Sequence, residues 1–436
     1  MEKLGLKETV AMGVGGMVGG GIFSVLGLAV DASGHAAPLA FGLGAVIALL
    51  TGLSYARLGL AFRSDGGSFT YLERAFAHPA IARVGGWLLV VGYIGTMALY
   101  AFTFGAYGTA MLGEATHVAA MRHFLESFAL LIFLAINLYG IKAAGTTEDI
   151  IVMIKVLILL LFGGIGLCFL QPERLLPLFD QGASGLLMGA ALIFVAYEGF
   201  ELIPNAVNEM EDPVKDLRRG IFWSIAITAA IYILVSLVAV GNLTPEAIHR
   251  EKEYALAVAA SPFLGHAGFF LISLGALLST ASAINATLFG TARLAMVMAQ
   301  DQALPKVFSF RERHKDIPWV SLIAITLLTL IFVNVADLTV ISSFASSTFL
   351  LIFAAINLSA LRLAPRLHMA RHWPAAGMAL ALGSWVVLLV YLWQHSRHSL
   401  VWIMAFYTGM AALEVALVRW RFRGYKGGRY VKRGIF

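Results

Sequence analysis

Twelve apolar stretches, each long enough to form a helix across a lipid bilayer, follow one another along this chain with little between them. They cover about 8–30, 37–61, 84–112, 124–141, 148–170 and 183–207, then 216–241, 262–295, 318–336, 338–362, 374–394 and 399–419. A spanning helix takes roughly 20 to 22 residues, so twelve use about 250, a little over half of the 436. Only 13% of residues are charged and 59% are hydrophobic, with a mean hydropathy of +0.83. Soluble domains carry about a quarter charged residues. A disordered chain, a disulfide scaffold and a large soluble enzyme are thereby excluded. The expectation is an all-α membrane protein with twelve transmembrane helices and short loops. The longest polar segments, near 62–83 and 296–317, read as amphipathic helices at the cytoplasmic surface. The basic start MEKLGLKETV runs straight into apolar sequence and reads as the first span, not as a cleaved signal. Cys168 stands alone, so neither an internal disulfide nor a thiolate metal site is expected, and no cofactor is implied.

An even number of spans puts both termini on one side. Of the 31 Lys and Arg, 25 fall on that side, and five, Arg122, Arg174, Arg250, Lys252 and Arg397, fall on the other. Cytoplasmic loops carry the excess of positive charge, which places both termini in the cytoplasm of a cell-membrane protein. The tail RWRFRGYKGGRYVKRGIF then reads as an anchor to anionic lipid, with no nucleic-acid role expected. One basic residue remains, Lys155, and it lies inside a span. Nine residues beyond Thr146, it sits about 13 Å into the membrane. An ammonium at that depth needs carbonyl or carboxylate partners, and it could bind and release a proton or fill a fixed hole between helices.

Two further features interrupt the apolar pattern. Span 1 contains six glycines between Gly13 and Gly21, each costing about 1 kcal/mol in a helix interior. They serve either close helix packing, as in the pair Gly15 and Gly19, or a broken helix whose freed backbone groups bind a ligand. No strand precedes them, so a dinucleotide loop is excluded. Span 6, LIFVAYEGFELIPN, carries Glu198, Gly199, Glu201 and Pro204 in mid-membrane, and a second break is expected around Ala196 to Gly199. The two carboxylates either take part in function or face a water-filled vestibule and make structural bonds. Matching interruptions in two halves of a chain point to an inverted-repeat transporter with its site between them.

The segments GVGGMVGGGIF, SYARLGLAFRSDGGSFTYLERAF, EDIIVMIKVLILLLF, FVAYEGFELIPNAVNEMEDPVKDLRRGI and YALAVAASPFLGHAGFFLISLGALLSTASAINATLFGTARLAMVMAQDQALP, in this order, resemble the amino-acid permeases of the APC superfamily, most closely ApcT-type proton-coupled carriers. The resemblance implies a LeuT-like 5+5 inverted repeat, with residues 6–170 and 183–362 as the two repeats, 374–420 as two appended spans and 421–436 as the tail. By that likeness the substrate carboxylate meets the amides of Gly19, Gly20 and Gly21, and its ammonium meets carbonyls near Met17, Phe194 and Ala196, with the Phe194 ring as a lid. Half-helix ends favour these charges. Lys155 matches the span 5 lysine that stands in place of a sodium ion, with the carbonyls from Gly13 to Gly16 and with Ser279, Thr280 or Ser282 beside it. Glu198 and Glu201 depart from the pattern, since uncharged residues are expected there.

The function expected is therefore uptake of an amino acid with a proton by alternating access, and not an enzyme. Exchange of an amino acid against its amine product, and carriage of a cationic amino acid or polyamine selected by Glu198, are the runner-up readings. All eleven histidines lie in loops or near span ends and no nucleophile motif is present, which argues against an intramembrane hydrolase. A membrane sensor or scaffold is the other class.

Overall fold

The computed structural model describes residues 3–64, 66–113, 118–140, 145–312 and 317–424. Most of the basic tail, 425–436, and residues 313–316 of the 296–317 segment lie outside them. The described chain is all-helical, with fifteen α-helices: α1 (Leu6–Met17), α2 (Gly21–Ser33), α3 (Ala37–Phe62), α4 (Gly67–Ala75), α5 (Pro79–Leu112), α6 (Val118–Tyr139), α7 (Gly145–Cys168), α8 (Gly182–Leu192), α9 (Pro213–Asn242), α10 (Pro245–Arg250), α11 (Ala255–Gln300), α12 (Trp319–Val335), α13 (Leu338–Leu363), α14 (His372–His395) and α15 (Arg397–Gly424). Among the described residues eight helical stretches are long and apolar enough to cross a membrane. A ninth is α8 with the 3-10 turns that follow it, bent by 49°.

The glycines of the first span divide between the two uses open to them. Gly13, Gly15 and Gly16 stay helical and let neighbours approach: a Cβ on Gly13 would lie 2.3 Å from Ser224 Oγ, and one on Gly15 would lie 2.6 Å from Val152. The helix then stops at Met17, and Val18, Gly19 and Gly20 form the link to α2. Gly15 and Gly19 do not act as a packing pair, since Gly19 faces Ala283 and Tyr100 instead.

Helix α8 ends at Leu192, earlier than the expected break at Ala196 to Gly199, and gives way to 3-10 turns over Phe194–Tyr197 and Phe200–Glu209. The reason lies on another helix. Ser346 of α13 donates to the Leu192 carbonyl at 2.7 Å and accepts from Val195 N at 3.1 Å, and Ser342 adds a bond to Leu192 O at 3.2 Å. These hydroxyls satisfy backbone groups that a helix end inside a membrane would otherwise leave bare.

Around the two breaks, α3 packs on α9, α5 on α11 and α6 on α12, while α5 also meets α13 and α11 also meets α7. Helix α2 lies against α8, and α1 against α9. Just before α1, Leu4 pairs with the backbone that follows the second break, through Leu4 N to Glu209 O at 2.8 Å and Glu211 N to Leu4 O at 2.9 Å. Asp212 caps α9 by accepting from Lys215 N, and the Lys215 ammonium 2.8 Å away holds its carboxyl below the usual range.

The segment near 62–83 holds the expected amphipathic helix, α4, whose apolar face of Phe69, Tyr71 and Leu72 is buried against the bundle while Glu73 and Arg74 are exposed, with the Tyr71 ring 6.0 Å from that of Tyr55. One expectation about the surroundings needs correction. The segment near 296–317 is not one amphipathic helix: α11 continues to Gln300, and a single 3-10 turn follows at Lys306–Ser309. Helix α11 is also longer than its apolar stretch, starting at Ala255 and bending at Gly265, where φ is +60°.

Candidate functional site

The two breaks face each other at close range. A Cβ on Gly21 would come within 2.8 Å of Ala196 Cα, and one on Gly199 within 2.6 Å of the Gly16 carbonyl carbon. The Met17 carbonyl ends α1, while the amides of Gly21, Ile22 and Phe23 begin α2, whose first helical bond runs from Ser24 N to Gly20 O at 2.9 Å. Carbonyls at one helix end and amides at the next helix start thus lie a few residues apart, the first favouring a cation and the second an anion. Gly20 is needed here for space, because a Cβ on it would lie 2.4 Å from the Tyr100 ring.

Each residue singled out in the sequence has a definite place. Lys155 on α7 is buried, at 1% exposure, and its ammonium donates to the Gly15 carbonyl at 2.7 Å, less than one turn before α1 ends. Of the carbonyls from Gly13 to Gly16, this is the one it takes. Gly13 faces Ser224 and Ile203, and Gly16 faces Gly199. Ser279 is directed to the break and not to the lysine, donating to Val18 O at 2.9 Å and Gly19 O at 2.6 Å. Thr280 bonds back within α11, to Ala276 O at 2.8 Å, and Ser282, half-buried, makes no hydrogen bond among the described residues. Phe194 turns its ring edge-on to Phe353 of α13, with centroids 5.6 Å apart, which seats it in the core.

The two carboxylates occupy different environments. Glu201 turns back to accept from Gly199 N at 2.7 Å, capping the second break, and receives a longer bond from the Tyr93 hydroxyl at 3.4 Å. Glu198 accepts from the Thr96 hydroxyl. Both are buried, neither makes a salt bridge among the described residues, and Glu198 does not pair with Lys155. An ionised carboxylate without a cation is costly in such surroundings.

Several residues at the breaks were not singled out in the sequence. Tyr232 of α9 donates to Met17 O at 2.6 Å and Ala196 O at 3.0 Å, so two of the three carbonyls expected to face an ammonium already share a phenol. Tyr93, Thr96 and Tyr100 line the same region from α5, and Ser342 and Ser346 cap it from α13. The hydroxyl-rich run ISSFASST in α13, with serines repeating at helical spacing in a span, is the signal that could have revealed the last two.

Comparison with known proteins gives the family of the chain. A family model described as amino acid permease matches residues 4–413. An uncharacterized protein of Methanocaldococcus jannaschii is 33% identical over 432 residues, covering 99% of both chains, and the inner membrane transport protein YbaT of Escherichia coli is 31% identical, covering 96% of both. The branched-chain amino acid permease BcaP of Bacillus subtilis is 25% identical, covering 73% of this chain and 72% of its own. A solved structure of a mutant of the Eremococcus coleocola manganese transporter superposes with a TM-score of 0.60 at 13% identity, over 95% of this chain and 94% of that one. At that identity it bears on the fold alone. The match over nearly the whole length, with two broken helices meeting in a buried core, makes this chain a member of the amino acid permease family of the APC superfamily.

Proposed function

We propose that the protein is a secondary transporter that takes up an amino acid together with a proton by alternating access. Lys155 is its proton-binding group. The observation that carries this reading is the bond from Lys155 to Gly15 O: a titratable cation anchored on the half-helix whose end forms the break. Loss of its proton would take away the positive charge that strengthens the bond to Gly15 O, leaving a weaker neutral amine donor and freeing α1 to shift, which links protonation to the geometry of the site. The substrate carboxylate lies at the amides of Gly19, Gly20 and Gly21, and its ammonium at the carbonyls of Met17, Phe194 and Ala196. All are buried, so binding and release require the breaks to open.

The architecture we infer is twelve spans with both termini cytoplasmic in the cell membrane, anionic lipid against the basic tail, and two inverted repeats over 6–170 and 183–362, followed by spans in 374–420. The order of helix packing supports the repeat. Corresponding helices pair with each other, α3 with α9, α5 with α11 and α6 with α12, and α5 meets α13 just as α11 meets α7.

Proteoliposome uptake tests the coupling. Amino-acid uptake should follow an inward proton gradient, and uptake that persists unchanged in Lys155→Ala overturns the assignment. Counterflow without a pH gradient would mark exchange instead. One observation favours a second substrate class: Glu198 has a threonine but no cation beside it, so a cationic side chain or free amine on the substrate would supply one. A binding screen of the twenty amino acids and common polyamines, with Glu198→Gln beside wild type, separates these readings.

A further inference from the structure

Tyr232 stands in the middle of α9, and nothing in its apolar surroundings, AAIYILVSLV, marks it as functional. Its side chain is completely buried. The ring is held by Phe41, 5.5 Å away in an edge contact, and by Tyr197 at 5.4 Å, and Tyr197 is itself fixed by a 2.7 Å bond to Phe41 O. A ring held on two sides delivers its hydroxyl to one place. That place is 2.6 Å from Met17 O in the first break and 3.0 Å from Ala196 O in the second.

A phenol has one hydrogen, whereas two carbonyl oxygens offer four lone pairs. The tyrosine therefore fixes both carbonyls in position while leaving most of their acceptor capacity unfilled. Unfilled acceptors in a dry core are costly, and the group that relieves them best carries several N–H donors and a positive charge. Spacing agrees. Acceptors around one ammonium lie about 4.7 Å apart at ordinary hydrogen-bond lengths. The two carbonyl oxygens can be no farther from each other than the two tyrosine bonds laid end to end, which admits that spacing.

We propose that Tyr232 is a positioning residue for amine recognition: it holds the Met17 and Ala196 carbonyls at the separation that one primary ammonium bridges, so that recognition of the amine depends on both broken helices at once. This deepens the reading of the breaks as the substrate site and rests on it. N-methylation of the substrate replaces one of the three N–H donors by a methyl group that must fit between the two held carbonyls, and deamination removes all three donors, so Tyr232 sets the preference for a primary amine.

The test measures binding to the purified full chain of three probes: the tightest-binding of the twenty amino acids, its N-methyl derivative and its deaminated acid. Wild type should rank them in that order. Tyr232→Phe should weaken the amino acid about tenfold, the value of one hydrogen bond near a charge, leave the deaminated acid unchanged, and so compress the ratio between them. An unchanged ratio, or equal loss for all three probes as from a general structural defect, overturns the proposal. Phe41→Leu keeps the hydroxyl but loosens its ring and covers the case in which Tyr232→Phe fails to fold. It should compress the same ratio by a smaller factor, and full retention of the ratio again overturns the proposal. A wild type that does not separate the amino acid from its deaminated acid overturns the substrate-site reading itself.

Discussion

Gly16 and Gly199 meet backbone to backbone, one near the end of α1 and the other in the second break. A Cβ on Gly199 would stand 2.6 Å from the carbonyl carbon of Gly16, and Gly199 has φ of +128°, a conformation side chains rarely adopt. Gly199→Ala therefore meets both a clash and a strained backbone. A loss of at least about 2 kcal/mol is expected, read as a lowered melting temperature of the purified protein and abolished uptake. Gly164→Ala, where a Cβ would meet nothing within 4 Å, is the control and should behave as wild type.

Lys155 should give uptake its pH dependence. With the interior pH held constant, symport with a proton predicts that the initial rate falls as external pH rises. Lys155→Met keeps the length of the side chain but can neither bind a proton nor donate to Gly15 O, so its rate should be flat across the same range. A slope equal to that of wild type would show that the proton is bound elsewhere.

Ser346 and Ser342 should differ in weight. Ser346 serves both a donor and an acceptor of the second break, and Ser342 only shares the Leu192 carbonyl. Ser346→Ala leaves Val195 N without its partner, at a cost of about 1–3 kcal/mol, whereas Ser342→Ala should cost less than half as much. Thermal unfolding of the two single variants measures the difference, and equal losses would contradict the capping role.

Glu198 and Glu201 should separate by substrate charge. Glu198→Gln should reduce affinity for lysine, arginine or polyamines about tenfold relative to neutral amino acids if the carboxylate faces the substrate ionised. Glu201→Gln keeps an amide oxygen that can still accept from Gly199 N, so its selectivity should match wild type. A parallel shift in both variants would mean that the two carboxylates act as one unit.

Much of this molecule could be read from order and spacing in the chain. Apolar runs reported helices because a backbone in lipid must bond to itself. The glycine cluster and the proline, glycine and acids of span 6 reported two breaks, since helix propensity acts locally. The end of α8 was not legible, because Leu192 and Val195 are satisfied by serines roughly 150 positions away in sequence. Nor was the role of Ser279, whose hydroxyl reaches the break and not the lysine, since which face of α11 meets α1 depends on packing between helices.

The order of residues alone was enough to define a helical membrane protein, the side its positive charge favours, the places where its helices are weak, and one lysine too deep to reach water. Each follows from transfer energies and local backbone preferences, which depend on a residue and its near neighbours. Helix packing was needed to settle which carbonyl Lys155 takes, that Tyr232 bridges Met17 and Ala196, and that Glu201 caps Gly199 while Glu198 turns to Thr96. A buried polar group accepts whatever partner lies within about 3 Å, and that partner is chosen by how the helices come together.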